Sequence, residues 1–311
     1  MIRLIKKIIK ILLLILLTII LVLFLLYLYK DNAPVLFNGY NKKIEIGGEV
    51  EYKYLQSGKY ETSHTTVKAE KPMKKYTIYY PSELQSNDKK YPVVFIANGT
   101  GFKATMYKPL YEHLASWGFI VIGNQDKGTG TGESTSKTLD YILEENENKD
   151  SLFYNKIDTD NIGITGFSQG GAAVFRAITM YENGKYFKTA VPLSPVNEKT
   201  ANEVGYPYDL TKVNIPIMML AGTSGEFETD IVIPIESMKI MYDKINSFKV
   251  MARRSGANHD MMMYHADGYV TAWMMWQLQG DNEAKNAFIG DNPELLANEM
   301  YQDQQINLDN E

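Results

Sequence analysis

Short apolar runs alternate with stretches of helical periodicity through most of the chain. An uninterrupted apolar run is typical of a strand buried on both faces, whereas apolar residues spaced three and four apart predict a helix. The predicted buried strands cover residues 91–97, 119–123, 161–165, 189–193, 216–221 and 248–253. The predicted helices cover residues 105–117, 136–148, 169–181, 234–246 and 269–279. This alternation predicts an α/β domain with a mainly parallel central sheet and helices on both faces.

The residues that precede the first buried strand show a different pattern. Apolar and polar positions alternate loosely over residues 44–55 and 62–69, and more clearly over residues 75–80, where Pro81 ends the alternation. Alternation of this kind is typical of strands with one exposed face. We therefore expect edge strands at 44–55 and 62–69 and a further strand at 75–80, all before the parallel part of the sheet.

The first hydrophobic segment, residues 11–29, is much longer than the predicted buried strands. Residues 11–29 are apolar or aromatic except for Thr18, and as a helix they would span about 28 Å, close to the thickness of a bilayer core. The apolar stretch is longer than that of most signal peptides, and no small-residue cleavage site follows it. We expect a single-pass anchor in the cell membrane; a cleaved signal peptide, which would give a secreted protein, is the alternative.

The balance of basic and acidic residues also changes at the end of this apolar segment. Residues 1–30 contain five basic residues and no acidic residue, whereas the remainder contains 27 basic and 37 acidic residues. Positive charge before the span predicts a cytoplasmic N-terminus and an extracytoplasmic body. The expected organisation is a basic tip and anchor over residues 1–30, a linker over 31–42 and one globular domain over 43–311.

Composition narrows the chemistry that is open to this domain. The chain has no cysteine, which excludes disulfides, a thiol nucleophile, zinc ribbons and iron–sulfur sites. Its formal net charge of −5 gives no reason to expect nucleic acid as a partner. The glycine run at residues 128–132 has the spacing G-x-G-x-G, which does not match a dinucleotide fingerprint, so we expect it to form part of the rim of a site.

The strongest motif lies directly after the predicted strand at 161–165. Residues 166–170 read Gly-Phe-Ser-Gln-Gly, which is G-x-S-x-G between a strand and a helix. Small residues are needed there because Ser168 would sit in a strained turn where strand and helix approach closely. The backbone N–H of Gln169, at the start of the helix, could then face a developing oxyanion.

With this motif the sequence resembles the α/β-hydrolase superfamily over about residues 70–280. The resemblance implies a nucleophile, an acid and a histidine in that order, with an oxyanion loop after an early strand. The matching loop is Asn98-Gly99-Thr100-Gly101-Phe102. The N–H of Thr100 is the candidate second oxyanion donor, with Gly101 as the alternative, and Phe102 is a candidate substrate-facing aromatic residue.

The remaining members of the triad are expected from the loops after the last two parallel strands. His259 follows the strand at 248–253 among small residues, in a segment that resembles the G-A-x-H of cutinase-like enzymes, and His265 is its competitor. Asp230, four residues before Pro234, resembles the D-x-x-x-P of the family and is the favoured acid. Glu226 and Glu228 lie in the same loop and stay open as alternatives.

Residues 269–273, 278–281 and 287–290 add a finer resemblance, to the dienelactone hydrolase and cutinase-like branch that includes polyester hydrolases and chlorophyllase-like enzymes. About 20 residues separate the strands at 189–193 and 216–221, too few for a large helical cap, so the lid should be small or absent. The resemblance implies a serine hydrolase that cleaves small-molecule or polymeric carboxylic esters, with no metal and no organic cofactor. A lipase, an acyltransferase, a peptidase and a non-catalytic envelope-binding protein are the alternatives.

Overall fold

The computed structural model describes residues 2–307, which divide into two compact units. The first ends at Val35 and the second begins at Leu36, inside the segment predicted as a linker. The first unit consists of helix α1, Ile2–Asn32. Its stretch Arg3–Tyr29 is long and apolar enough to cross a membrane, a test that an N-terminal signal sequence also passes. The hydroxyl of Thr18, in the middle of this stretch, donates to the carbonyl oxygen of Leu14 at 2.9 Å and is thereby satisfied within the helix.

The second unit is built on a nine-stranded sheet with the order β1-β2-β4-β3-β5-β6-β7-β8-β9. Strands β3 to β8 pair in parallel, and β1, β2 and β9 are antiparallel to their neighbours. The strand bounds are Thr62–Lys68, Lys75–Pro81, Tyr91–Ala97, Ile120–Asn124, Ile157–Phe167, Phe187–Leu193, Ile217–Gly222, Lys249–Arg254 and Tyr301–Ile306 for β1 to β9. The mostly parallel sheet agrees with the α/β domain that the alternating pattern predicts, and its topology is the α/β-hydrolase fold that the resemblance implies.

Helices connect successive parallel strands along the chain and pack against the sheet. Helices α2 to α11 are Glu49–Leu55, Lys108–Ser116, Glu133–Glu147, Gln169–Met180, Glu198–Glu203, Ile235–Lys244, Met262–His265, Asp267–Gln279, Asn282–Lys285 and Glu294–Ala297. Every residue of β3 is buried, as its continuous apolar run predicts. The segment between β6 and β7, where the resemblance would place a lid, holds only the six-residue α6 and one short 3-10 turn.

The predicted strand at 44–55 is wrong, because these residues contain helix α2. Its first turn is capped from far along the chain, since the Glu294 carboxylate accepts the N–H groups of Val50 and Glu51 at 2.7 and 3.0 Å. Glu51 is itself buried and pairs with buried Arg254 at 3.2 Å; burial raises the pKa of the Glu51 carboxyl, and the arginine opposes that rise. The helix thus depends on tertiary partners that local periodicity cannot reveal.

Candidate active site

Ser168 lies at the turn between β5 and α5, with a backbone conformation of φ 60° and ψ −120°. This region is unfavourable for a residue with a side chain and costs about 1–3 kcal/mol. The turn is held because the Ser168 N–H donates to the carbonyl oxygen of Leu193, at the end of β6, at 2.9 Å. Its side chain is therefore aimed by the backbone, and 7% of the residue remains exposed.

Two glycines make this turn possible. A Cβ at Gly166 would lie 2.4 Å from the carbonyl oxygen of Gly170, and a Cβ at Gly170 would lie 2.2 Å from that of Ala97. A side chain at either position would collide with a backbone carbonyl oxygen, so only glycine fits at 166 and 170. The close approach brings the start of α5 against the end of β3, where the loop at residues 98–102 begins.

Ser168 and His259 come together across 91 residues of sequence. The Ser168 hydroxyl oxygen lies 2.9 Å from His259 Nε2. His259 begins the 3-10 turn after β8, and the preceding Asn258 caps that turn by accepting the N–H of Met261. Its imidazole contacts two phenylalanine rings, Phe167 in a tilted arrangement at 4.6 Å and Phe227 edge-on at 4.9 Å between centroids. Aromatic contacts therefore restrain the ring in addition to the hydrogen bonds at its nitrogens.

The acid at His259 is Glu228. Its Oε2 lies 2.6 Å from His259 Nδ1, and the side chain is fully buried. The expectation that Asp230 takes this place is wrong, because Asp230 is exposed and its Oδ1 accepts the hydroxyl of Thr229 at 2.9 Å. Glu226 is exposed as well. The acid loop forms a π-helical turn, Phe227–Val232, and this turn directs Glu228 inward.

The buried Glu228 carboxylate has a full set of donors. Besides His259, the backbone N–H of Gly222 and the hydroxyl of Ser194 both donate to its Oε1, each at 2.6 Å. A buried charge is tolerated only when its oxygens are hydrogen-bonded, and here donors reach both of them. The two Oε1 donors come from the ends of β7 and β6, so the position of the acid depends on the assembled sheet.

Two N–H groups of the loop after β3, those of Gly101 and Phe102, donate to backbone carbonyl oxygens. Gly101 donates to the carbonyl oxygen of Lys127 at 2.9 Å, and Phe102 donates to that of Gly99 at 3.1 Å. The N–H of Thr100 makes no hydrogen bond to the residues that the structure describes, and neither does the N–H of Gln169. Buried Asn98 fixes the loop, since its Nδ2 donates to the carbonyl oxygens of Asn124 and Asp126.

The other histidines do not contact Ser168. His64 stacks on Tyr79 in the first two strands, and buried His113 bonds to Asp267 and to the carbonyl oxygen of Gln56. His265, the competitor to His259, lies on α8, where burial and then the charge of Arg254 lower its pKa to about 4. Of the four imidazoles, His259 is the one that meets the serine hydroxyl.

Aromatic residues lie near this arrangement. Phe102 is half-buried, and its ring meets Tyr107 at 5.9 Å. Phe227, which sequence reasoning did not single out, is 55% exposed although its ring touches His259. The glycine run at 128–132 lies beside Gln169, since a Cβ at Gly130 would lie 2.9 Å from Gln169 Cγ. An exposed aromatic residue next to the acid in sequence is the signal that could have found Phe227.

The profile of the PETase family, described as PET hydrolase-like, matches residues 46–306. This match covers most of the chain and every residue of the arrangement described above. The chain belongs to the PET hydrolase-like family. It is therefore a carboxylic ester hydrolase of the polyester hydrolase branch of the α/β-hydrolases, which confirms the predicted superfamily and branch. None of the curated proteins matches the chain.

Within the PET hydrolase-like family match lie all nine strands, whereas helix α1 lies outside it. Membership excludes the non-catalytic envelope-binding protein that the sequence alone left open. The acid is the position that sequence reasoning placed wrongly, although Glu228 was among its alternatives. The D-x-x-x-P resemblance favoured Asp230, and local sequence held no sign that the turn would present the residue two positions earlier.

Proposed function

We propose that Ser168, His259 and Glu228 form the catalytic triad of a polyester hydrolase that works through an acyl-enzyme. The observation that carries the proposal is the continuous pair of hydrogen bonds, 2.9 Å from serine to imidazole and 2.6 Å from imidazole to carboxylate. A serine hydroxyl is a weak nucleophile until a base takes its proton, and imidazole is the side chain suited to that task near neutral pH.

The reaction has two halves. In the first, Ser168 Oγ attacks the ester carbonyl while His259 Nε2 takes its proton, and the imidazolium then gives that proton to the departing alcohol. In the second, water gives a proton to His259 Nε2 and attacks the acyl carbonyl; the bond to Ser168 Oγ then breaks, the imidazolium returns the proton to that oxygen, and the carboxylic acid product leaves. Glu228 holds the Nδ1 proton of His259 throughout, which keeps Nε2 free to accept, and its charge stabilises the imidazolium.

The negative charge of each tetrahedral intermediate needs fixed donors. The N–H groups of Gln169 and Thr100 are the candidates, since neither donates to the described part of the chain. Gln169 follows Ser168 directly, and Thr100 follows Gly99, where a Cβ would lie 3.4 Å from the carbonyl oxygen of Phe167. The N-terminus of α5 adds the positive end of a helix dipole at Gln169. Removing one such donor in comparable sites costs about 10²–10³ in kcat.

The substrate proposed from family membership is a polyester chain. A polymer needs an open approach to the serine, and the short segment between β6 and β7 leaves no room for a large cap. Phe102 and Phe227 are proposed to contact the substrate, because an aromatic ring that is partly exposed beside a reacting centre gains apolar contact when a chain lies across it.

Substrate length tests this proposal. The purified protein should release soluble products from a polyester film, and it should hydrolyse acetyl and butyryl nitrophenyl esters faster than palmitoyl esters, because the segment between β6 and β7 is too short to enclose a long acyl chain. Product release is measured by chromatography and ester hydrolysis by absorbance, with Ser168→Ala as the control on both substrates. Strong preference for palmitoyl esters, with no release from film, would indicate a lipase.

We also propose that α1 stays on the protein as a membrane anchor, through residues 11–29, with the hydrolase domain outside. The full chain should then be found in the membrane fraction, resist extraction by salt and dissolve in detergent, with a mass that includes residues 1–30. Deletion of residues 11–29 is the control and should give soluble enzyme. Recovery of enzyme in the medium, with an N-terminus beyond residue 30, would show instead that α1 is a cleaved signal.

A further inference from the structure

A serine hydroxyl on the far side of the acid has no part in the triad as described so far. Ser194 follows the last residue of β6, is fully buried, and donates its hydroxyl to Glu228 Oε1 at 2.6 Å. We propose that Ser194 is a positioning residue for the ester hydrolysis proposed above, which acts by fixing and stabilising the Glu228 carboxylate that holds His259. This inference deepens the proposed triad and rests on it.

The backbone at Ser194 supports a role for its side chain. Its φ is 40°, in the left-handed region that glycine adopts freely and serine does not. Its N–H is committed to the carbonyl oxygen of Leu220 at 2.7 Å, which extends the pairing of β6 and β7. Glycine would satisfy this backbone without strain, and what it would lack is the hydroxyl that reaches Glu228.

The two donors to Glu228 Oε1 differ in whether a substitution can remove them. Gly222 gives a backbone N–H that no side-chain change removes, whereas the Ser194 hydroxyl can be deleted by one substitution. Without it, one lone pair of a fully buried carboxylate loses its partner, and the carboxylate can rotate away from Nδ1. Since hydrogen bonds to buried charges are among the stronger ones, we expect Ser194→Ala to lower kcat/KM by about 10- to 100-fold.

The pH profile should move as well. Once the Glu228 carboxylate can turn away from Nδ1, it stabilises the His259 imidazolium less, so the acid limb of kcat/KM should shift to lower pH. Other charged groups of the surrounding elements stay the same in both proteins. Three of them are exposed carboxylates, Glu226, Asp230 and Asp260. Six form ion pairs, namely Arg253–Asp303, Arg254–Glu51 and His113–Asp267. The others lie on neighbouring loops and are Lys103, Asp126 and Lys127.

A double-mutant cycle tests the inference directly. In the Glu228→Gln background, Ser194→Ala should change kcat/KM by less than about twofold, because a residue that acts through the carboxylate has nothing left to act on. Ser134→Ala is the matched control: Ser134 on α4 is buried, and its hydroxyl has no hydrogen-bond partner in the described chain. That variant should retain wild-type activity. Ser194→Gly should match Ser194→Ala in activity while keeping or raising the melting temperature.

Several outcomes would overturn the inference. They are wild-type activity in Ser194→Ala, an equal loss from Ser194→Ala in both backgrounds, or restored activity in Ser194→Gly, which would reduce the residue to a backbone role. A second readout does not need turnover: the low-field proton resonance that His259→Gln abolishes should shift in Ser194→Ala and not in Ser134→Ala. If the wild type does not hydrolyse esters but the resonance shifts in Ser194→Ala, the proposed function alone is refuted. If the wild type hydrolyses esters but the resonance does not shift in Ser194→Ala, the role of Ser194 alone is refuted.

Discussion

Replacing Ser168 with alanine is expected to lower kcat/KM for ester hydrolysis by at least about 10⁴-fold, to the level left by the oxyanion donors and substrate binding. The hydroxyl oxygen 2.9 Å from His259 Nε2 is the atom that forms the acyl bond, and alanine offers nothing in its place. The variant should also lose covalent labelling by a fluorophosphonate probe, measured by intact mass.

The fold should be unaffected by this change. Alanine keeps a Cβ at the strained φ of 60°, and the Ser168 N–H bond to Leu193 is a backbone contact that the substitution leaves in place. The far-UV circular dichroism and melting temperature should match the wild type, and Ser134→Ala should be labelled like the wild type. Labelling of Ser168→Ala at another residue, with activity kept, would place the nucleophile elsewhere.

The region around Ser168 could be predicted from sequence because its determinants are local. The apolar run before it, the glycines at 166 and 170 and the helical spacing after it all lie within about twenty residues, and each is required by a short-range contact. The buried strands were predictable for a similar reason. A strand covered on both faces has to be apolar at every position, and such runs stand out along the chain.

Elements stabilised by distant partners were not predictable in this way. Helix α2 has only seven residues and takes the cap of its first turn from Glu294, so its residues read as a loose strand. Strand β9, Tyr301–Ile306, is polar along most of its length and is a strand because it pairs with β8 at the edge of the sheet. The local sequence pattern contains no information on the Glu294 cap or on the pairing of β9 with β8.

The acid was hard to choose for the same reason. Three carboxylates lie within five residues, and the one that reaches His259 is the one that meets Gly222 and Ser194, which lie at the ends of two other strands. A buried carboxylate is located by its donors, and those donors are brought together only when the sheet is assembled. The choice between Glu228 and Asp230 is therefore the sharpest test of the structure.

Glu228→Gln is expected to lower kcat by about 10³- to 10⁴-fold, whereas Asp230→Asn should stay within about twofold of the wild type. In the glutamine variant, the N–H of Gly222 and the hydroxyl of Ser194 still require an acceptor, so the amide oxygen turns toward them. The amide NH₂ then faces His259 Nδ1, which must become the acceptor. The ring proton moves to Nε2, and that nitrogen can no longer take the proton of Ser168.

The two variants are matched because each replaces a carboxylate in the same turn with its own amide, at nearly constant volume. Within the described residues the Asp230 carboxylate accepts a hydrogen bond from the hydroxyl of Thr229, and the side chain is exposed, so its charge should matter little to the imidazole. Single-turnover kinetics would separate the loss in the chemical step from any change in binding. A loss in Asp230→Asn together with an active Glu228→Gln would mean that the acid loop adopts another turn in solution, with Asp230 at the histidine.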